Sequence, residues 1–241
     1  MFSMNIQTVA ATKQNYGFLN ISDSKKTKAN AFYYLSRYLA LISQFLVLPI
    51  VYMFFKVFFK LKITGKTNIN GIYSPFIIIS NHVSTFDSFV FRLILNGKRL
   101  PLRFMAVKRF NSDYLNMLSK IYIIDILYFI FGVFIVERGR GLNKNLEIAM
   151  NILNNSGNVV IYPEGSIVSG GTIADFKVGA AVLAKNTRVQ VIPIAMKIYG
   201  KSIRRNFTVN IGPVIKNNSD SSVEKLTEYF QDTVMILHNE I

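Results

Sequence analysis

The chain has 241 residues, enough for one sizeable core with appendages but short for two domains. Hydrophobic residues make up 51% and charged ones only 17%, which excludes a disordered chain. A net charge of +15 directs the protein to anionic surfaces, a membrane first and nucleic acid second. There is no cysteine, so disulfides, thiolate nucleophiles and cysteine-bound zinc are excluded. With two histidines, His82 and His238, no metal site is expected.

Residues 1–30 are polar and acid-poor and lack the apolar stretch of a secretory signal, so they are expected to form a disordered tail. Tyr38 to Phe55 follow, eighteen residues without a charge, the lower limit for a membrane-spanning helix. Pro49 inside the run removes a helical hydrogen bond, which predicts a kink or a break. Both flanks are basic, with Lys25, Lys26, Lys28 and Arg37 before it and Lys56, Lys60, Lys62 and Lys66 after. Equal flanks go against a single span and predict that residues 31–61 form a re-entrant helical pair anchored in one leaflet.

From residue 62 to 241, strand and helix signals alternate. Phe76–Ile79, Val133–Val136, Val159–Tyr162 and Val189–Ile194 are short apolar runs of the kind buried on both faces of a parallel sheet. Phe207–Ile211 alternates. Asp87–Leu95, Leu142–Leu153 and Phe176–Ala184 carry helical spacing between them, and Val223, Leu226, Phe230, Val234 and Leu237 mark an amphipathic C-terminal helix. The apolar stretch Ile121–Phe131 is expected to pack on the core. The pattern predicts an α/β domain with a mainly parallel central sheet flanked by helices, preceded by an N-terminal membrane-associated helical segment.

Several motifs fail inspection. Gly65-Lys66-Thr67 and Gly200-Lys201-Ser202 lack the earlier glycine of a P-loop, Gly139-Arg140-Gly141 lacks the third glycine of a dinucleotide fingerprint, and no serine elbow exists. What remains is Asn81-His82-Val83-Ser84-Thr85-Phe86-Asp87, directly after the Phe76–Ser80 strand, where α/β proteins place their sites. For His82 and Asp87 to meet, the histidine must sit in the strand-to-helix turn and the aspartate in the first helical turn. Ser84-x-x-Asp87 also reads as a capping box with Ser84 as N-cap.

Three further segments accompany it in order: Gly132-Val133-Phe134-Ile135-Val136-Glu137-Arg138, Tyr162-Pro163-Glu164-Gly165-Ser166 and Val191-Ile192-Pro193-Ile194. With smaller echoes at Thr64-Gly65, Met105-Ala106-Val107-Lys108 and Phe176-Lys177-Val178-Gly179, residues 62–215 resemble the lysophospholipid acyltransferase family, especially its lysophosphatidic acid acyltransferases. The chain departs from the family at Ile167, where an arginine is usual, and in the very apolar stretch 111–131.

The resemblance implies a membrane enzyme with its catalytic domain on the cytoplasmic face. Its reaction moves a fatty acyl group from a thioester to the sn-2 hydroxyl of a lysophosphatidic acid, forming phosphatidic acid. His82 would be the general base and Asp87 its orienting carboxylate, as in a catalytic triad. Arg138 would bind phosphate, Glu164, Gly165 and Ser166 would shape the acceptor site, and Lys108 and Lys177 are candidate second phosphate partners. No cofactor is expected beyond acyl-CoA or acyl carrier protein as co-substrate. The partners implied are the bilayer and the lipid acceptor, with no nucleic acid. Another lysophospholipid or glycerol-3-phosphate as acceptor, or a non-catalytic basic membrane binder of the same fold, stays open.

Overall fold

The computed structural model describes residues 23–95, 100–107, 123–136, 142–168, 171–200, 204–216 and 221–241. The chain divides into two compact units, Met1–Leu35 and Ser36–Ile241, and the second holds a seven-stranded sheet.

The strands are β1 (Phe59–Thr64), β2 (Phe76–Ser80), β3 (Leu102–Val107), β4 (Val133–Val136), β5 (Asn158–Ile161), β6 (Gln190–Tyr199) and β7 (Arg205–Ile211). Their order across the sheet is β1-β7-β6-β2-β5-β3-β4, and every neighbouring pair is parallel except β6 and β7. The helices are α1 (Asp23–Phe58), α2 (Asp87–Ile94), α3 (Ile123–Phe131), α4 (Leu142–Asn154), α5 (Gly179–Thr187) and α6 (Val223–Asn239). The expected mixed α/β architecture is present. β2 is buried at all five positions because layers cover both of its faces. Val51 and Phe55 of α1 and Val90 and Phe91 of α2 pack on one face with Phe76, Ile78, Val160, Ile192 and Phe207.

Pro193 lies in β6, between two partners, where proline is rarely tolerated. Its carbonyl accepts from Gly212 N just past the end of β7, while Val191 on its other side pairs with Ile215. The N–H that proline lacks would face the same side as that carbonyl, so the pairing with β2 is untouched.

The largest departure from expectation is α1. It is one continuous helix, beginning at Asp23 within the stretch expected to be a tail, and not a pair broken at Pro49. A buried or part-buried stripe of Ser36, Ala40, Ser43, Gln44, Val47, Val51, Phe54 and Phe55 keeps i, i+3/i+4 spacing straight past the proline. Pro49 sits two residues from Val47, about 200° round the helix, on the exposed side away from that stripe.

Polar side chains fix this stripe. The Gln44 amide, fully buried, donates to the carbonyls of Leu102 (2.8 Å) and Phe131 (3.1 Å) and accepts from Leu102 N (3.0 Å). Ser43 Oγ donates to Ile130 O at 2.7 Å, and Arg103 donates to Ser36 Oγ at 2.9 Å. Val51, Phe55 and Phe59 belong to the core itself, so α1 cannot be removed without opening the domain.

Gln44→Leu keeps the bulk but orphans the Leu102 N–H, a buried donor. We expect a loss of about 1–3 kcal/mol in thermal or chemical unfolding of the detergent-solubilised chain. Phe45→Ser on the exposed side is expected to stay within about 0.5 kcal/mol of the parent. Equal effects of the two substitutions would contradict the docking described.

Candidate active site

β2 ends at Ser80, and the next residue continues its pairing by other means. Asn81 is 1% exposed, and its amide clasps the Met196 backbone of β6, Nδ2 donating to the carbonyl and Oδ1 accepting from the N–H, both at 2.8 Å. This side-chain rung extends the β2–β6 ladder beyond Ser80↔Ile194 and aims the following turn.

His82 comes next, and Asp87 opens α2 five residues later. His82 Nδ1 lies 2.8 Å from Asp87 Oδ2, and the same oxygen accepts from Val83 N (2.8 Å) and Ser84 N (3.0 Å). The aspartate is fully buried, and its Oδ1 has no partner among the described residues. One carboxylate oxygen thus closes the turn and holds the imidazole together. An ionised carboxylate can only accept, so Nδ1 carries the proton and Nε2 presents its lone pair. The capping box forms in part. Asp87 reaches back to Ser84 N, but Ser84 Oγ accepts from Phe86 N at 3.2 Å and the N-cap is Phe86, because the helix starts two residues later than a Ser84 cap requires.

Tyr162, the first residue after β5, stacks on the His82 ring, with centroids 4.0 Å apart and planes 14° from parallel. Its hydroxyl lies 3.5 Å from Ser88 Oγ. Burial, with the Asp87 carboxylate beside it, raises the phenol well above its usual range and keeps it protonated.

Glu164 is 4% exposed and spends each oxygen on a backbone N–H: Oε1 accepts from His82 N at 2.7 Å and Oε2 from Ala174 N at 2.9 Å. His82 O accepts from Val168 N (2.9 Å), and Pro163 O from Lys177 N (3.0 Å). The two loops at the carboxyl ends of β2 and β5 are tied into one surface. Burial raises the Glu164 carboxyl above its ordinary value, opposed by the N–H groups of Ala174 and His82.

Gly165 adopts φ +76°, and a Cβ there would collide with Lys177 Nζ, so the exposed lysine lies directly over this glycine. Ser166 and Ile167 beside it are exposed. The structure therefore gathers His82, Asp87, Glu164, Gly165 and Lys177 around one strand end. Lys108 and Arg138 lie outside the described residues.

Two further contributors are not singled out by sequence reasoning, which gives Asn81 and Tyr162 only as members of longer motifs. A third is Arg92, 3% exposed on α2 and without an acidic partner among the described residues. It donates to Ser88 O (2.8 Å) and Phe131 O (3.4 Å), with Phe104 and Phe89 4.8 and 5.3 Å from its guanidinium carbon. Burial lowers it to about 10, which leaves it charged near neutrality.

Comparison with known proteins bears on the family and the fold. The family model described as Acyltransferase matches residues 60–197, more than half of the chain. The chain is 26% identical over 128 residues to 1-acyl-sn-glycerol-3-phosphate acyltransferase alpha of Homo sapiens, covering 52% of this chain and 41% of the relative. It is 29% identical over 149 residues to the chloroplastic 1-acyl-sn-glycerol-3-phosphate acyltransferase LPAT1 of Arabidopsis thaliana, covering 60% and 38%. The match thus spans about two-fifths of these curated relatives. The crystal structure of the 1-acyl-sn-glycerophosphate acyltransferase PlsC from Thermotoga maritima superposes with a TM-score of 0.59 over 82% of this chain and 81% of that one, at 21% identity, a likeness of fold. On the family match and the motif geometry together, the chain belongs to the acyltransferase family.

Proposed function

We propose that this protein is a membrane-bound 1-acylglycerol-3-phosphate acyltransferase, forming phosphatidic acid from a thioester donor and a lysophosphatidic acid. The observation that carries the reading is the His82 Nδ1–Asp87 Oδ2 hydrogen bond of 2.8 Å, which leaves Nε2 as a free proton acceptor at a strand end. The names of the curated relatives support the substrate class.

The chemistry follows from that tautomer. Nε2 takes the proton of the sn-2 hydroxyl as its oxygen attacks the thioester carbonyl. The Asp87 carboxylate offsets the charge that appears on the imidazole. The tetrahedral intermediate collapses with cleavage of the C–S bond, and the departing thiolate recovers the proton from Nε2. Direct attack suits a chain with neither cysteine nor a serine elbow. Arg138 is the cation proposed for the acceptor phosphate, and Lys177, exposed beside Gly165, is suited to be its second partner.

Attachment to the membrane is assigned to the outer face of α1. Ile42, Phe45, Leu46, Ile50 and Met53 are all more than half exposed, an apolar surface that water disfavours. Of the span Tyr34–Phe58, long and apolar enough to cross a bilayer, little is buried, unlike a core helix. Its opposite face is fixed to the domain from Ser36 to Phe55, so a helix lying in the interface fits better than one crossing it.

His82→Ala is expected to lower acyl transfer by about 10²–10⁴-fold with folding intact, measured with acyl-CoA, acyl-carrier-protein and acyl-phosphate donors against a panel of lysophospholipids. Activity retained at more than a few per cent would remove the general-base role. Asp87→Asn isolates the charge. Its amide oxygen can keep all three contacts of Oδ2, and its NH₂ takes the place of Oδ1, a buried atom already without a hydrogen-bond partner among the described residues. We expect a nearly unchanged melting temperature and a kcat lower by orders of magnitude. A mild kcat effect would reduce Asp87 to a turn residue. Replacing Ile42, Phe45, Ile50 and Met53 with serine should release the protein from vesicles that high salt alone does not strip. Deletion of residues 1–61 is not an equivalent test, since it takes core residues with it.

A further inference from the structure

We propose that Tyr162 is a positioning residue of the acyl-transfer step, whose aromatic face steadies the His82 ring and favours its charged form as the proton arrives. The proposal rests on His82 acting as the general base, and it assigns a task to a side chain that the reaction scheme leaves unused.

Asp87 fixes the imidazole at one edge only, through Nδ1. A ring held at a single atom can still rock about that bond and swing Nε2 away from the acceptor hydroxyl. Tyr162 removes that freedom by covering a face of the ring, 4.0 Å away and 14° from parallel. The tyrosine is itself held. Its backbone carbonyl accepts from Gly165 N at 3.0 Å, its hydroxyl meets Ser88, and its ring neighbours Phe91 at 6.2 Å.

The electrostatic part acts in one direction. A π face attracts a cation far more than a neutral ring. A general base gains its charge only as it takes the hydroxyl proton, so the attraction is felt mainly in the transition state. Its effect belongs in kcat and leaves KM alone. The phenol is kept protonated by burial and by Asp87, so Tyr162 does not compete for the proton. The other charged groups around the pair are the Glu164 carboxylate on the His82 backbone, Asp87 at the ring edge and the Arg92 guanidinium on the α2 side of the tyrosine. A Tyr162 substitution alters none of these charges.

The test compares Tyr162→Phe with Tyr162→Leu in the full-length detergent-solubilised enzyme. Phenylalanine keeps the stacked face and is expected to retain kcat within about twofold. Leucine keeps bulk without π density and is expected to lose about three- to thirtyfold in kcat at unchanged KM. The His82 ring-proton NMR signals, assigned by their loss in His82→Ala, should lie upfield in the parent and in Tyr162→Phe and move downfield in Tyr162→Leu. Wild-type kcat in Tyr162→Leu would overturn the proposal, as would equal losses in the two variants or His82 signals that do not move. Should Tyr162→Leu unfold, Tyr162→Met serves as the aliphatic arm with the same expectations. If His82→Ala retains activity while the NMR shift is present, the base assignment fails and the stack stands as structure alone.

Discussion

The candidate site depends on one oxygen atom, Oδ2 of Asp87. It takes three donors at 2.8–3.0 Å, two from the backbone of the turn and one from the histidine that the turn displays. A fully buried carboxylate is costly unless it is well bonded, and here the same bonds that offset the cost also define the chemistry. The turn cannot relax without releasing the imidazole, and the imidazole cannot reorient without loosening the turn. Glu164 repeats the arrangement from the neighbouring strand, with both oxygens on backbone N–H groups of separate loops. Two acids of one site thus act on the backbone first.

A second set of contacts gives the N-terminal helix a double nature. One face of α1 carries Ser43, Gln44, Val51 and Phe55 into the domain, while the other leaves large apolar side chains uncovered. The two faces lie on a single rod, which runs straight into β1 at Phe59. Phe54 and Phe59 also approach Phe86, the residue before Asp87, at 5.1 and 6.2 Å between ring centroids. The surface assigned to lipid and the turn that holds His82 are therefore two packed side chains apart.

Much of this is legible in the sequence. The four-residue apolar runs mark strands because a doubly covered strand has no need to alternate, and the run before Asn81 points to the strand end that carries the site. The spacing of His82 and Asp87 is readable for the same reason: only a strand-to-helix turn brings those two positions together. What escapes is whatever depends on where a side chain aims. Gln44 looks like a polar interruption of an apolar run, and nothing in its neighbours says that Leu102 offers both halves of a peptide to it. Glu164 reads as a ligand-facing acid until its backbone partners are seen. Pro49 argues for a broken helix when local hydrogen bonding is weighed alone, whereas the stripe on the opposite side holds the rod together.

The fusion of anchor and core has a thermodynamic consequence. In many peripheral proteins the membrane-binding element is an appendage, and lipid binding leaves the stability of the globular part untouched. Here the residues that would meet lipid share a helix with Gln44 and Phe55, so unfolding the domain dismantles the lipid-binding face in the same cooperative event. A bilayer bound there would act as a ligand of the native state alone, and its occupancy would shift the folding equilibrium by mass action. For such a chain, the amount of membrane in the cell becomes one of the variables that set how much folded enzyme exists.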